Sequence, residues 1–120
     1  MELVPIDDSD LLYRRIHPAH IDPDGHVIWL AYRLPKNPDN RMSVDLAKLT
    51  NGPQHTAKDG RGVGAIEARV PRRLGLRTFH DPVHDNYAHS SIEGDNTRQR
   101  CHALAEHTEI VIQATSAPGR

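Results

Sequence analysis

The chain has 120 residues, enough for one hydrophobic core and too few to divide into two. Its 15 Lys and Arg against 16 Asp and Glu leave a formal charge of -1, which argues against a domain that coats DNA by bulk electrostatics. The single Cys101 excludes an internal disulfide, a zinc ribbon and a CxxC redox pair.

Residues 1–10 are acidic, contain Pro5 and read as an extended lead-in to one globular domain over residues 11–113. Leu11 to Ile16 reads as a first strand that stops at His17-Pro18, because the residue before proline favours extended backbone. Pro23-Asp24-Gly25 is a turn sequence. Residues 26–34, with Trp29 and Tyr32, form the most apolar run and are expected to be a buried central strand. Residues 36–40 are a polar loop by composition.

Met42, Val44 and Leu46 alternate as in a strand, which is expected to pass into a short helical turn ending near Leu49. Residues 50–64, with four glycines, are the expected flexible segment. Ile66, Val70 and Leu74 lie at helical spacing but Pro71 interrupts them, so either a helix begins at Pro71 or two short turns flank it, with Gly75 as a C-cap. Strands are expected at residues 76–80, 88–93 and 109–113, and a helix after an Asp95 or Asn96 N-cap. Residues 114–120 read as a disordered tail. Strands outnumber helices without alternating regularly with them, which gives an α+β fold: a small mixed sheet covered by one or two helices.

Between two of these strands, residues 80–89 hold His80, His84 and His89 with Asp81, Asp85, Asn86 and Tyr87. Polar groups this dense on proline-interrupted backbone suggest a ligand-facing loop, and a solvated turn is the plain alternative. Nine histidines in all would carry the formal charge from -1 to +8 on full protonation, so anion binding or solubility is expected to change between about pH 7.5 and 5.5. Most positive charge is Arg, whose planar fork suits carboxylate and phosphate.

Three arrangements of these parts are open. Metal binding by His80, His84 and His89 has suitable ligands, but Pro82 removes the helical geometry that makes HxxxH persuasive, and no metal or other cofactor is expected. Metal-free acid–base chemistry on RNA or a nucleotide could pair His89 with His80 or His17. Arg14, Arg15 or Arg33 would then clamp the anion, Asn86 and Asp81 would orient groups, and Tyr87 would stack on a base. The third is a binding or accessory module that uses the same loop and arginines to hold an anionic small molecule, RNA or a protein partner.

Tyr13-Arg14-Arg15 followed by Tyr32-Arg33 and Ser43 is similar to small ADP-ribosyltransferase-like folds, in which such groups hold NAD. The catalytic acid has only Glu93 and Glu109 as late candidates. More broadly, residues 12–18, Asp24-Gly25, Met42-Ser43-Val44-Asp45, Asp81-Pro82 and Asn86-Tyr87-Ala88-His89 resemble short bacterial single-domain proteins to which no activity is attached. That resemblance covers about residues 11–112 and marks His17, Asp24, Ser43, Asp81, Asn86 and His89 as the matched polar positions. It implies a bacterial cytoplasmic protein, and a place in a toxin–antitoxin or defence system is one expectation. No run of eighteen apolar residues and no basic, apolar leader occurs, which agrees with a cytoplasmic site and no membrane partner.

Overall fold

Six strands form one sheet in the order β4-β5-β2-β1-β3-β6, in a computed structural model that describes residues 2–33 and 40–115. They are β1 Leu11–Ile16, β2 Arg41–Leu46, β3 Gly62–Glu67, β4 Arg77–His80, β5 His89–Glu93 and β6 Glu109–Ile112. Two helices accompany them, α1 Arg69–Arg73 and α2 Arg98–Glu106, so the class is α+β, and every pairing in the sheet is antiparallel.

Period-two alternation decides which face each side chain takes. Leu12, Ile16, Met42, Val44, Leu46, Ile66 and Ile92 turn to the face that meets Cys101, Leu104 and Ala105 of α2, and these residues form the core. The register places the other parity, Tyr13, Asp45 and His89, side by side on the opposite face. Helices cover only the first face. The second is roofed in part by the segments before β3 and before β5, which leaves it open for a polar site.

The apolar run at residues 26–33 is not a strand. It makes one bridge, Ile21 to Val27, and then a 3-10 turn at Trp29–Tyr32 that buries Ala31 and Tyr32 against the core; Leu34 and the expected loop at 36–39 lie outside the described residues. The physical reason is that β1 already has β2 on one side and β3 on the other, so no central sheet edge remains for it.

Three further expectations are corrected. The glycine-rich segment is structured at both ends, with a 3-10 turn at Pro53–His55 and with Gly62 and Gly64 inside β3. A Cβ on Gly64 would lie 2.4 Å from Thr108 Cγ2, so glycine there permits close packing instead of flexibility. The N-cap of α2 is Thr97, whose side chain accepts from Arg100 N, while Asn96 turns inward to donate to the carbonyl of Tyr32. Helix α1 starts before Pro71, which sits in the first turn where its missing N–H has no intrahelical partner to lose. Gly75, at φ 86°, ends that turn as expected and donates to Arg72 O.

The described segments that flank the sheet are tied to the domain. Val4 and Ile6 pack on the core, and Asp8 O and Asp10 O accept from Arg69 N and Ala68 N. At the other end Thr115 N donates to Gly60 O, and residues 116–120 lie outside the described part.

Candidate functional site

The site begins where two central strands stop pairing. Strand β1 pairs with β3 along all six residues, but its pairing with β2 consists of Leu12 with Leu46 and Tyr13 with Asp45. Beyond that point Arg14 takes over. Its Nη1 donates to Ser43 O at 2.8 Å and its Nε to Ala31 O at 3.0 Å, with the guanidinium carbon 5.4 Å from the centre of the Tyr32 ring. Loss of hydration lowers the Arg14 pKa from the ordinary arginine value, partly offset by Tyr32 and Cys101. Burial in turn raises Tyr32, which its hydroxyl bond to Thr108 and the nearby Arg14 oppose.

A cleft of about 440 Å³ opens beside this point, lined by Arg14, Arg15 and Arg61 and by Ser43, Asn86 and His89 among others. His89 Nδ1 lies 2.7 Å from Asp81 O, and a carbonyl only accepts, so that nitrogen carries the hydrogen. In neutral His89 the free lone pair is therefore on Nε2, which lies 3.1 Å from Ser43 Oγ and accepts from it. Asp45, the carboxylate in the cleft lining, is occupied: Oδ2 accepts from Thr56 Oγ1 at 2.7 Å and Oδ1 from Asn86 Nδ2 at 2.8 Å. Asn86 Oδ1 accepts from Ala88 N and lies 2.9 Å from His55 Nε2, so one amide fixes both the carboxylate and the turn into β5.

Cations around the cleft lack the partners found elsewhere. On the far edge of the sheet Arg41 and Arg77 both bond Glu93, at 2.8 and 2.7 Å, and on the N-terminal side Arg72 bonds Asp8. Among the described residues no carboxylate lies within ion-pair reach of Arg14, Arg15, Arg33 or Arg61. Arg15 is instead aimed by its Nε, which donates to Thr56 O at 2.8 Å. A second depression of about 400 Å³ shares Arg14, Arg15 and Arg61 with the cleft and adds His17, His20 and Arg33.

The structure does not bring His17, His80 and His89 together. His80 pairs with Ser90 and so takes the core face, whereas His89 pairs with Asp45 and takes the cleft face. His80 is buried, its Nδ1 accepting from Val4 N at 2.8 Å and its Nε2 donating to Tyr87 O at 2.6 Å, so both ring nitrogens serve the backbone. Tyr87 stands edge-on to that ring and donates to Glu2 O, which directs it toward the N-terminal segment and away from the cleft. His84 is exposed at the loop tip beside Asp85. The alternative ligand trio of His80, His84 and His89 is thus dispersed over a core position, a tip and the cleft.

Asp81 contributes its backbone carbonyl, while its carboxylate accepts from Ser91 Oγ. His17 caps the turn Pro18–His20 by accepting from Ala19 N and lines the second depression, not the cleft. The two candidate acids, Glu93 and Glu109, line neither: Glu93 is ion-paired with arginines and Glu109 opens edge strand β6. Among the described residues, one group, Asp22, Asp24 and His26, gathers three potential metal ligands, and Asp22 already accepts from the backbone N–H groups of Asp24 and His26.

Arg61, Asp45, Thr56 and His55 were not among the residues expected to make the site. Asp45 was legible, since a strand carrying Ser43 outward also carries Asp45 outward two residues on. Arg61 could have been suspected as a lone cation between Gly60 and Gly62. No family model, curated protein or solved structure matches the chain.

Proposed function

We propose that the chain is a small cytoplasmic binding domain that holds a phosphate-bearing small molecule in the cleft beside β1 and β2. The observation that carries this reading is the cleft lining itself, to which Arg14, Arg15 and Arg61 contribute with no carboxylate within ion-pair reach of any of the three among the described residues. Removing a cation from water without an opposite charge is unfavourable, and an anionic ligand supplies the missing charge. The planar fork of Arg15, fixed through its Nε, matches two phosphate oxygens. Asn86 and Ser43 add neutral groups that can bond the remainder of the ligand. The second depression allows a molecule longer than one phosphate to extend past His17 and His20.

Calorimetric titration with inorganic phosphate, ADP and a short single-stranded RNA tests the reading. Binding of phosphate or ADP, weakened about tenfold or more in Arg15→Ala/Arg61→Ala, is expected, which corresponds to about 1.4 kcal/mol. No heat with either small ligand up to about 10 mM would overturn it. Tight binding of the RNA alone would replace it by an RNA-binding reading.

A further inference from the structure

We propose that Ser43 and His89 form a nucleophile–base pair that transfers a terminal phosphoryl group from a good leaving group; this rests on the binding reading of the same cleft. The parts stand in the order such chemistry requires. Ser43 is exposed on the cleft face of β2, its Oγ 3.1 Å from His89 Nε2, and His89 Nδ1 is held at 2.7 Å by Asp81 O. The orienting carbonyl is itself fixed. Asp81 N donates to His89 O at 3.0 Å, Asp81 Oδ2 accepts from Ser91 Oγ at 2.9 Å, and Pro82 restricts the backbone that follows. His89 therefore presents the nitrogen with a lone pair to the hydroxyl, as a general base must.

The backbone of Ser43 is held as firmly. Its carbonyl accepts from Arg14, and its neighbours pair across to β5, so the hydroxyl projects from a rigid strand into the space that Arg15 and Arg61 line. In the first step the Ser43 hydroxyl proton passes to His89 Nε2 as the Oγ–P bond forms and the bond from phosphorus to the leaving oxygen breaks. The leaving group departs as its anion on the side of phosphorus opposite Ser43, so the imidazolium keeps the proton. Water then attacks phosphorus from the vacated side as the bond to Ser43 Oγ breaks; the imidazolium returns its proton to Oγ, and both protons of the water stay with the dihydrogen phosphate released. Arg15 and Arg61 neutralise the phosphoryl oxygens throughout. A neutral carbonyl behind His89 stabilises the imidazolium less than a carboxylate would, so the pair suits an aryl phosphate or a phosphoanhydride better than an alkyl phosphate.

The test uses the full chain with 4-nitrophenyl phosphate and ADP, following product release and, after acid quenching, phosphoryl adducts on the Ser43 peptide by mass spectrometry. Expected are turnover and an adduct in the wild type, with both lost in Ser43→Ala. His89→Ala should lose about 10²- to 10⁴-fold in rate and regain part of it with added imidazole. If phosphate binds but neither probe turns over nor leaves an adduct, the nucleophile–base pair is wrong and the binding reading stands. If phosphate does not bind at all, the binding reading fails on its own measurement. Turnover undiminished in Ser43→Ala would also overturn the inference.

Discussion

Val4 donates its backbone N–H to Nδ1 of His80 at 2.8 Å, which ties the N-terminal segment to an imidazole 76 residues away. The same ring holds Tyr87 O from its other nitrogen. Replacing His80 by Phe keeps an aromatic ring but leaves a partly buried donor and a partly buried acceptor unpaired. The expected cost is about 2–4 kcal/mol, with the Val4 amide losing hydrogen-exchange protection before the rest of the chain. Phosphate affinity at the cleft should stay near wild type at temperatures where the variant is folded. An unchanged urea midpoint would show that these two bonds contribute nothing.

Arg14 bridges the place where β1 and β2 cease to pair, so it serves the fold, and on the proposed reading it also serves binding. Arg14→Lys retains the charge but cannot reach Ala31 O and Ser43 O with a planar fork. It should lower stability by about 1–3 kcal/mol and weaken phosphate binding, whereas Arg61→Ala should weaken binding with little change in the urea midpoint. Equal loss of stability in both variants would mean that the cleft cations serve the fold alone.

Where the outcome of a local pattern depends only on parity, the sequence is a good guide. Met42, Val44 and Leu46 against Ser43 and Asp45 mark β2 and both of its faces, and the β-branched run Ile110-Val111-Ile112 marks β6. Residues 26–33 show the opposite case, since an apolar run cannot reveal whether a sheet edge is free to receive it. The histidine loop fails for a third reason. His80 and His89 are close in sequence, but the antiparallel register of β4 and β5 sends them to opposite faces, and that register is a tertiary property. Arg61 reaches the cleft because it directly precedes β3, whose register sets Gly62 opposite Ile16 at the end of β1. Nothing local in Gly60-Arg61-Gly62 specifies that pairing.

Cys101 is 1% exposed on the inner side of α2, and burial raises its thiol above the ordinary pKa, with Arg14, a backbone bond and Arg33 opposing. A thiol that is both inaccessible and protonated reacts slowly. Labelling with a disulfide reagent at pH 8 should run at least about 10²-fold slower than for the unfolded chain and should accelerate with urea in step with unfolding. Fast labelling of the folded protein would place Cys101 in a segment that opens independently.

His20 supplies the pH dependence. Its pKa is lowered from 6.5, first by desolvation and then by the neighbouring His17 and Arg14. A lowered imidazole pKa means that the unfolded chain binds the proton more readily than the folded one, so stability is whole above 6.5 and is lost as pH falls through the folded value. The fall in melting temperature between pH 7.5 and 5.5 should therefore be smaller in His20→Asn than in the wild type. A bound ADP acts in the opposite direction, because a ligand longer than one phosphate extends into the depression that His20 lines, where its negative charge favours the imidazolium. ADP binding should take up more protons than the binding of inorganic phosphate, measurable as a calorimetric enthalpy that differs between buffers of different ionisation heat, and His20→Asn should reduce that difference. An uptake equal for the two ligands, or one that His20→Asn leaves untouched, would separate the second depression from the anion site.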